Sequence, residues 1–465
     1  MKTRYLIAEA YLHVLAFALI GIGVAGLLGF STIEQPTPHK VVLLPDSALM
    51  AVLMGGLLLA ATHQATRLLG LFATLLGGVV LYTLAHNQLA GGADNGQSWL
   101  SGFLRMRSGL ALILLVAIPA ICLCLGSTLS RGAARLSGIA GIMFAVWLQS
   151  SESLDTWPAL RLGFKYSSSH LANLFILTLS IAILLLSRLP AEERGQLDRI
   201  TLAAGMLGAL LTSSAWYLLS VQAIDSLGRE ADLLLAKAQD ATTGELEHHL
   251  ALMQRLAERW QVLGQLPSPR FWQQETNSYL RDFPQLGVVA VLDERFQPRW
   301  VHARKVEHST WLGRFLHNPE HQGWLQHVLE DNSPHMSKAV RYEHGIFGTL
   351  IASPLHLPGQ QPWLVVASVN VTGSLKTLID SKPGGLAVRL FEERSLLFDS
   401  NQGRATLFDT PISERLVQLH HGQTWVLHSY VPSAEALGGS RFLATVVLLF
   451  GLTLSFLLML SQRLA

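Results

Sequence analysis

The chain is 465 residues long, half of them apolar and only 14% charged, with a positive mean hydropathy and a formal net charge of +2. This is too apolar for a wholly soluble protein of such length. With balanced charge, no Lys/Arg run and no basic–aromatic interleave, the chain also lacks the footprint of a nucleic-acid binder. The bias is uneven: the apolar residues concentrate up to residue 221 and from 442 onward, around a polar block from Gln222 to Arg441.

At the start, Lys2 and Arg4 precede an apolar stretch, Leu6 to Phe30, long enough to cross a bilayer. No small-x-small cleavage site leads into a soluble domain, so this reads as an uncleaved first helix rather than a signal peptide. Further stretches near the ~20 residues needed to span ~30 Å of hydrocarbon follow. They fall at 47–63, 66–86, 108–126, 134–150, 168–187, 200–221 and 442–461. The expectation is an all-α membrane bundle of about eight spans. Cys122 and Cys124, inside one of them, are too close in sequence for a relaxed disulfide.

With the N-terminus inside, the inner connections carry Lys2, Arg4, Arg67, Arg131, Arg135, Arg188, Arg194, Arg199 and Arg463. The outer loops carry Lys40, Arg105, Arg107, Arg161 and Lys165, with Trp99 and Trp157 suited to an interfacial belt. This asymmetry places the polar block outside the cytoplasm and both termini within it. Segments 45–49, 106–110 and 166–170 each open a span after an outer loop, which suggests three helical hairpins and an exit helix.

Ionisable residues in spans are functional candidates because their desolvation is costly. Glu9 and His13 share a face of the first helix, while His63, His86, His170 and Asn173 lie near span ends. His86 and His170, both at the outer side, could together hold a metal, a haem or a proton; the alternative is that each sits at headgroup level. No H-E-x-x-H or paired acidic motif occurs in the spans, so no metal or cofactor is assigned.

Past the seventh span, Ile224, Leu227, Ala231, Leu234 and Ala238 recur at steps of three and four. This reads as a coiled-coil seam pairing with a second copy, in a stalk covering 222–266. Thr242-Thr243-Gly244-Glu245 is expected to interrupt it with a capping box. A second helix then carries Leu246, Leu250, Met253, Ala257, Trp260 and Leu263, with Trp260 packing on its own domain.

The block 267–441 reads as α+β. Helices are expected at 271–282, 320–330 and 374–380, and a hairpin of 288–292 and 299–303 around Asp293-Glu294-Arg295. Further strands are expected at 338–342, 348–353, 363–371, 386–391 and 425–430, in two small antiparallel sheets.

Several short stretches here carry a resemblance: Tyr279-Leu280-Arg281-Asp282-Phe283-Pro284, Val289-Ala290-Val291-Leu292-Asp293 and Arg299-Trp300-Val301. Asn318-Pro319-Glu320, Ser353-Pro354-Leu355 and Trp363-Leu364-Val365-Val366 continue it. Together they resemble a CHASE domain, the extracytoplasmic ligand-sensing module of bacterial and plant receptors. The resemblance implies a long stalk helix carrying two PAS-like sheets, with a small ligand in the membrane-distal one. It further implies a bacterial inner-membrane protein with a periplasmic sensor and a diguanylate cyclase, cyclic-di-GMP phosphodiesterase or histidine kinase output. His321 and Gln322 stand where relatives often have basic residues, and Gly348 to Ala352 lacks the usual aromatics, so the ligand stays open.

Pocket candidates on the first sheet are Leu292, Trp300, His302, Tyr342, Ile351 and Ser353. Scattered histidines (His302, His308, His321, His335, His344, His356) could sense pH or a metal. The expected function is that of a homodimeric transmembrane receptor, with a small-molecule ligand, lipid contacts and no catalytic residues of its own. Its output would follow Ala465. The alternative is a transporter or membrane enzyme that uses intramembrane Glu and His residues.

Overall fold

The computed structural model describes residues 2–31, 45–90, 108–153, 170–190, 192, 194, 197–341, 347–380, 385–403, 406, 411–419, 423–432 and 434–464. It divides into two compact units, one formed by Met1–Leu227 with Leu437–Ala465 and the other by Gly228–Ala436.

The first unit is helical: α1 (Lys2–Ser31), α2 (Pro45–Thr62), α3 (Thr66–Ala90), α4 (Ser108–Leu123), α5 (Thr128–Ser153) and α6 (His170–Arg188). The start of α7 (Arg199–Leu263) and most of α12 (Ala434–Leu464) complete it. Leu12, Met54, Leu57, Leu76, Ile121 and Leu186 form a core shared by α1 to α6. The pair α1–α2 approaches closely because glycine faces backbone. A Cβ on Gly23 would meet Ala48 O at 2.4 Å, and one on Gly55 would meet Ala16 O at 2.6 Å. Small residues of this kind let apolar helices pack at short range.

Helices stand at all eight positions expected of spans, but three rather than eight of the described helices are long and apolar enough to cross a membrane. These are Tyr5–Gly29, the helix Arg199–Leu263 and Phe442–Arg463. Among the described residues, four others carry apolar helical stretches of 10–17 residues: Ser47–Thr62, Thr66–Tyr82, Leu114–Leu123 and Leu174–Arg188. In α5, Arg131 and Arg135 dilute the apolar run.

The second unit is built on α7, which continues without a break for 65 residues in all. The expected interruption at Thr242–Glu245 is absent. Thr242 turns its hydroxyl back to donate to Ala238 O at 2.7 Å instead of capping a new helix. The seam expected to pair with a second copy is also occupied within the chain. Ala231, Leu234 and Ala238 are buried, and this stretch lies along β9 (Ser413–Gln418). There Gln239 bonds Leu416 O and Arg415, and Asp232 accepts from Ser413.

After α8 (Pro269–Asp282) come β1 (Leu286–Leu292) and β2 (Pro298–Ala303). Their turn is held by the Asp293 carboxylate, which accepts from the amides of Arg295 and Gln297 at 3.0 and 2.9 Å, as an Asx turn does. Two helices follow, α9 (Val306–His317) and α10 (Pro319–Asp331), then β3 (His335–Met336), β4 (Val340–Arg341), β5 (Phe347–Leu355), β6 (Trp363–Asn370) and α11 (Val371–Asp380). The first sheet has the order β2-β1-β6-β5-β3, with β4 also on β5. The second has the order β8-β7-β10-β9, from β7 (Ala387–Glu392), β8 (Ser395–Asp399), β9 and β10 (Thr424–Tyr430). Helix α9 and strands β3, β8 and β9 were not anticipated from sequence.

Candidate functional site

Both faces of the first sheet are covered. Directly opposed residues in antiparallel strands point to the same side, so the register sorts the side chains. One face carries Val288, Ala290, Leu292, Leu350, Ala352, Leu364 and Val366 against Trp311, Leu312, Phe315, Leu316, Leu325 and Val328 of α9 and α10. The other carries two adjacent rows: His302–Val289–Ala367–Ile351–Met336 and Trp300–Val291–Val365–Ser353.

Four of the predicted pocket residues, Trp300, His302, Ile351 and Ser353, therefore share one face in neighbouring rows. Leu292 does not join them, because it sits on the opposite face in the apolar core beneath α9. Tyr342 lies outside the described residues.

The shared face meets α8, and three tryptophans line up there. Trp260 and Trp272 have ring centroids 5.1 Å apart, and Trp272 and Trp300 have theirs 5.9 Å apart. Trp260 is 0% and Trp272 2% exposed, and neither indole N–H has a hydrogen-bond partner. Beside them Glu275 pairs through one oxygen with Arg259, which also donates to Tyr279 Oη at 3.0 Å; its other oxygen is buried and unpaired. His249 donates from Nδ1 to Glu245 O across 2.7 Å, so its buried Nε2 is left as an unpaired acceptor. A buried polar group met by neither protein nor water costs roughly 1–3 kcal/mol of desolvation. Trp260, Trp272 and Glu275 thus gather two donors and one acceptor beside aromatic surface, the groups with which a small polar molecule is held by hydrogen bonds and stacking, whereas His249 lies about 16 Å along α7 from Trp260, against Phe283. Of the tryptophans beside Trp300, sequence reasoning had placed Trp260 in the core and had not singled out Trp272.

A second polar cluster lies on the second sheet. Glu414, His428, Arg389 and Asp399 form one continuous cross-strand row. Arg389 Nε is 3.4 Å from Asp399, and its guanidinium stacks 4.7 Å above the Tyr430 ring. His428 contacts Tyr430 Oη at 3.0 Å and Glu414 at 3.5 Å. Burial holds the His428 pKa below its ordinary value, Arg389 pushes the same way, and Glu414 opposes both. Burial raises the Tyr430 phenol.

The two sheets are joined through Glu392, whose carboxylate accepts from the Ala339 amide at 3.0 Å and the Trp425 indole at 2.9 Å. Gln423 reinforces the joint by donating to Met336 O at 2.6 Å. Next to it, His335 and Asp331 are 2.6 Å apart, and the Ser333 and His335 bonds hold the Asp331 carboxyl below its usual range. The described residues hold no group of three or more His, Cys, Asp or Glu placed for a metal ion.

Among the intramembrane candidates, Glu9 and His13 are buried. His13 Nε2 lies 3.2 Å from His63 Nε2, one donating and the other accepting. The side chains of His86, His170 and Asn173 lie outside the described residues.

No protein-family model matches the chain, and no curated protein matches it. The CHASE resemblance accordingly has no family match behind it. Among solved structures, the extracellular domain assigned to the histidine kinase rpHK1S-Z16 is similar at 15% identity and a TM-score of 0.30, covering 45% of this chain and 95% of that one. The sensory domain of the Campylobacter jejuni chemoreceptor Tlp3 (CcmL) with isoleucine bound is similar at 12% identity and a TM-score of 0.31, covering 47% of this chain and 96% of that one. Likenesses of this size carry no argument about what this chain does.

Proposed function

We propose that the chain is the sensory portion of a membrane receptor, in which the two-sheet unit binds a small extracytoplasmic molecule and the flanking helices pass the change to an output. The observation that carries this reading is α7. One unbroken helix holds an apolar, membrane-capable stretch and the surface on which the two-sheet unit is built, and a second membrane-capable stretch, Phe442–Arg463, follows that unit. A binding event can shift such an element only by as much as the ligand prefers one of its arrangements.

The test uses the full chain in lipid nanodiscs. A panel of amino acids, short carboxylates and nucleobases is screened by thermal shift. At least one compound should raise the transition temperature saturably, and Trp272→Ala should abolish that rise. A panel with no saturable response, or a response that survives Trp272→Ala, counts against the assignment.

A further inference from the structure

A cluster of arginines at one end of the helical unit carries positive charge that no described carboxylate neutralises. Arg194 is buried and spends its donors on backbone carbonyls: Cys124 O at 3.1 Å, Leu186 O at 3.0 Å, and Leu189 O at 3.0 and 3.2 Å. It thereby ties the C-terminal ends of α4 and α6 together. Arg131 is close enough for like-charge repulsion with it. Arg131 donates from Nε to Gly126 O at 3.2 Å, and Arg135 from Nη2 to Ser187 O at 3.4 Å. Each thus uses one of the five N–H donors that a guanidinium offers. Among the described residues, no carboxylate pairs with Arg131, Arg135 or Arg194.

The helix that presents Arg131 and Arg135 also indicates what lies outside it. Leu129, Leu136, Ile139, Met143 and Val146 are exposed at 86, 70, 46, 67 and 57% and recur on one side of α5. A stripe of that kind suits acyl chains rather than water. Arg131 and Arg135, four residues apart, share the neighbouring face at its N-terminal end. Guanidiniums beside the end of a lipid-facing apolar stripe lie at the depth of phospholipid phosphates and match them by forked hydrogen bonds.

We propose that Arg131 and Arg135, backed by the fixed charge of Arg194, form a binding site for the phosphate of an anionic phospholipid headgroup whose tails lie along the Leu136–Val146 stripe. The site lies in the helical unit, and the receptor reading above does not depend on it.

The experiment is native mass spectrometry of the full chain, released from nanodiscs containing equal parts phosphatidylglycerol and phosphatidylcholine. Phosphatidylglycerol should be retained preferentially. Arg131→Gln and Arg135→Gln should each lower its retention about fivefold and the double variant roughly 25-fold, from about one electrostatic contact per arginine. Circular dichroism should show unchanged helix content in every variant. Arg135→Lys, which keeps the charge and removes the fork, should fall between wild type and Arg135→Gln. Equal retention of both lipids by the wild type would overturn the proposal, as would undiminished preference in the double variant. Displacement of the lipid by millimolar inorganic phosphate would overturn it as well, by showing a simple anion site with no contribution from the tails.

Discussion

The two sheets of the second unit bury themselves differently. The first is enclosed by α9 and α10 on one face and by α8 on the other, so nearly every position along β1, β5 and β6 is buried and β1 shows no polar alternation. The second lies on α7 by the face that carries Val388, Leu390, Trp425 and Leu427, and its opposite face bears the Glu414–His428–Arg389–Asp399 row. Both leave buried polar atoms without a protein partner, the first beside an aromatic interface and the second at Ser429 Oγ and Gln423 Oε1, but only the second sets a row of charges against each other at a half-open surface. Sheets of one unit can therefore differ in where they place charge, and mutations should separate them.

The largest effect is expected at the joint between them. Trp425→Ala removes a fully buried side chain and the indole donor to Glu392, and should cost about 3–5 kcal/mol in denaturant unfolding. Similar loss from Trp425→Phe would shift the weight from packing to the Glu392 bond. Next, Arg389→Ala breaks the row and the stack on Tyr430, for about 1–2 kcal/mol; no loss would mean the row contributes no stability. On α7 beside the first sheet, Trp260→Phe should cost less than about 1.5 kcal/mol, because the lost volume is offset by removal of an unpaired N–H. A loss of Trp425→Ala size would show that the indole N–H has a partner after all.

The smallest effect is a pH slope. His428 is held neutral in the fold, its pKa below the ordinary 6.5, so the unfolded chain binds the proton first as pH falls. Stability from this group is whole above pH ~6.5 and declines below it until the folded histidine also protonates. His428→Gln should flatten urea midpoints between pH 7 and 5; an unchanged slope would assign the acid response elsewhere.

Long apolar runs made β1, β5, β6, β7 and β10 readable from sequence within a few residues. Strands β8 and β9 were not: Ser395–Asp399 is only five residues long, and Ser413–Gln418, with Glu414, Arg415 and Leu416 exposed, shows no apolar alternation. The same enclosure that made β1 easy to find hid its facing: with every residue buried, nothing in the sequence separates Leu292 from Val291, and the pocket set straddled the sheet. The stalk seam was real as an apolar face, but periodicity does not say whether a second copy or the chain's own β9 covers it. Arg194 read as one more inner-loop positive charge, since its carbonyl partners lie in helices distant in sequence.

The continuity of α7 makes helical phase the quantity to watch. A helix with no break or cap between its two ends has nowhere to absorb a change of register. One residue added between Ser220 and Gly228 would turn all that follows by about 100°, whereas seven would bring it back to within about 20°. If α7 carries the proposed signal, spacing along it should act modulo a heptad, and an insertion series through 220–228 tests this by separating dependence on angle from dependence on distance.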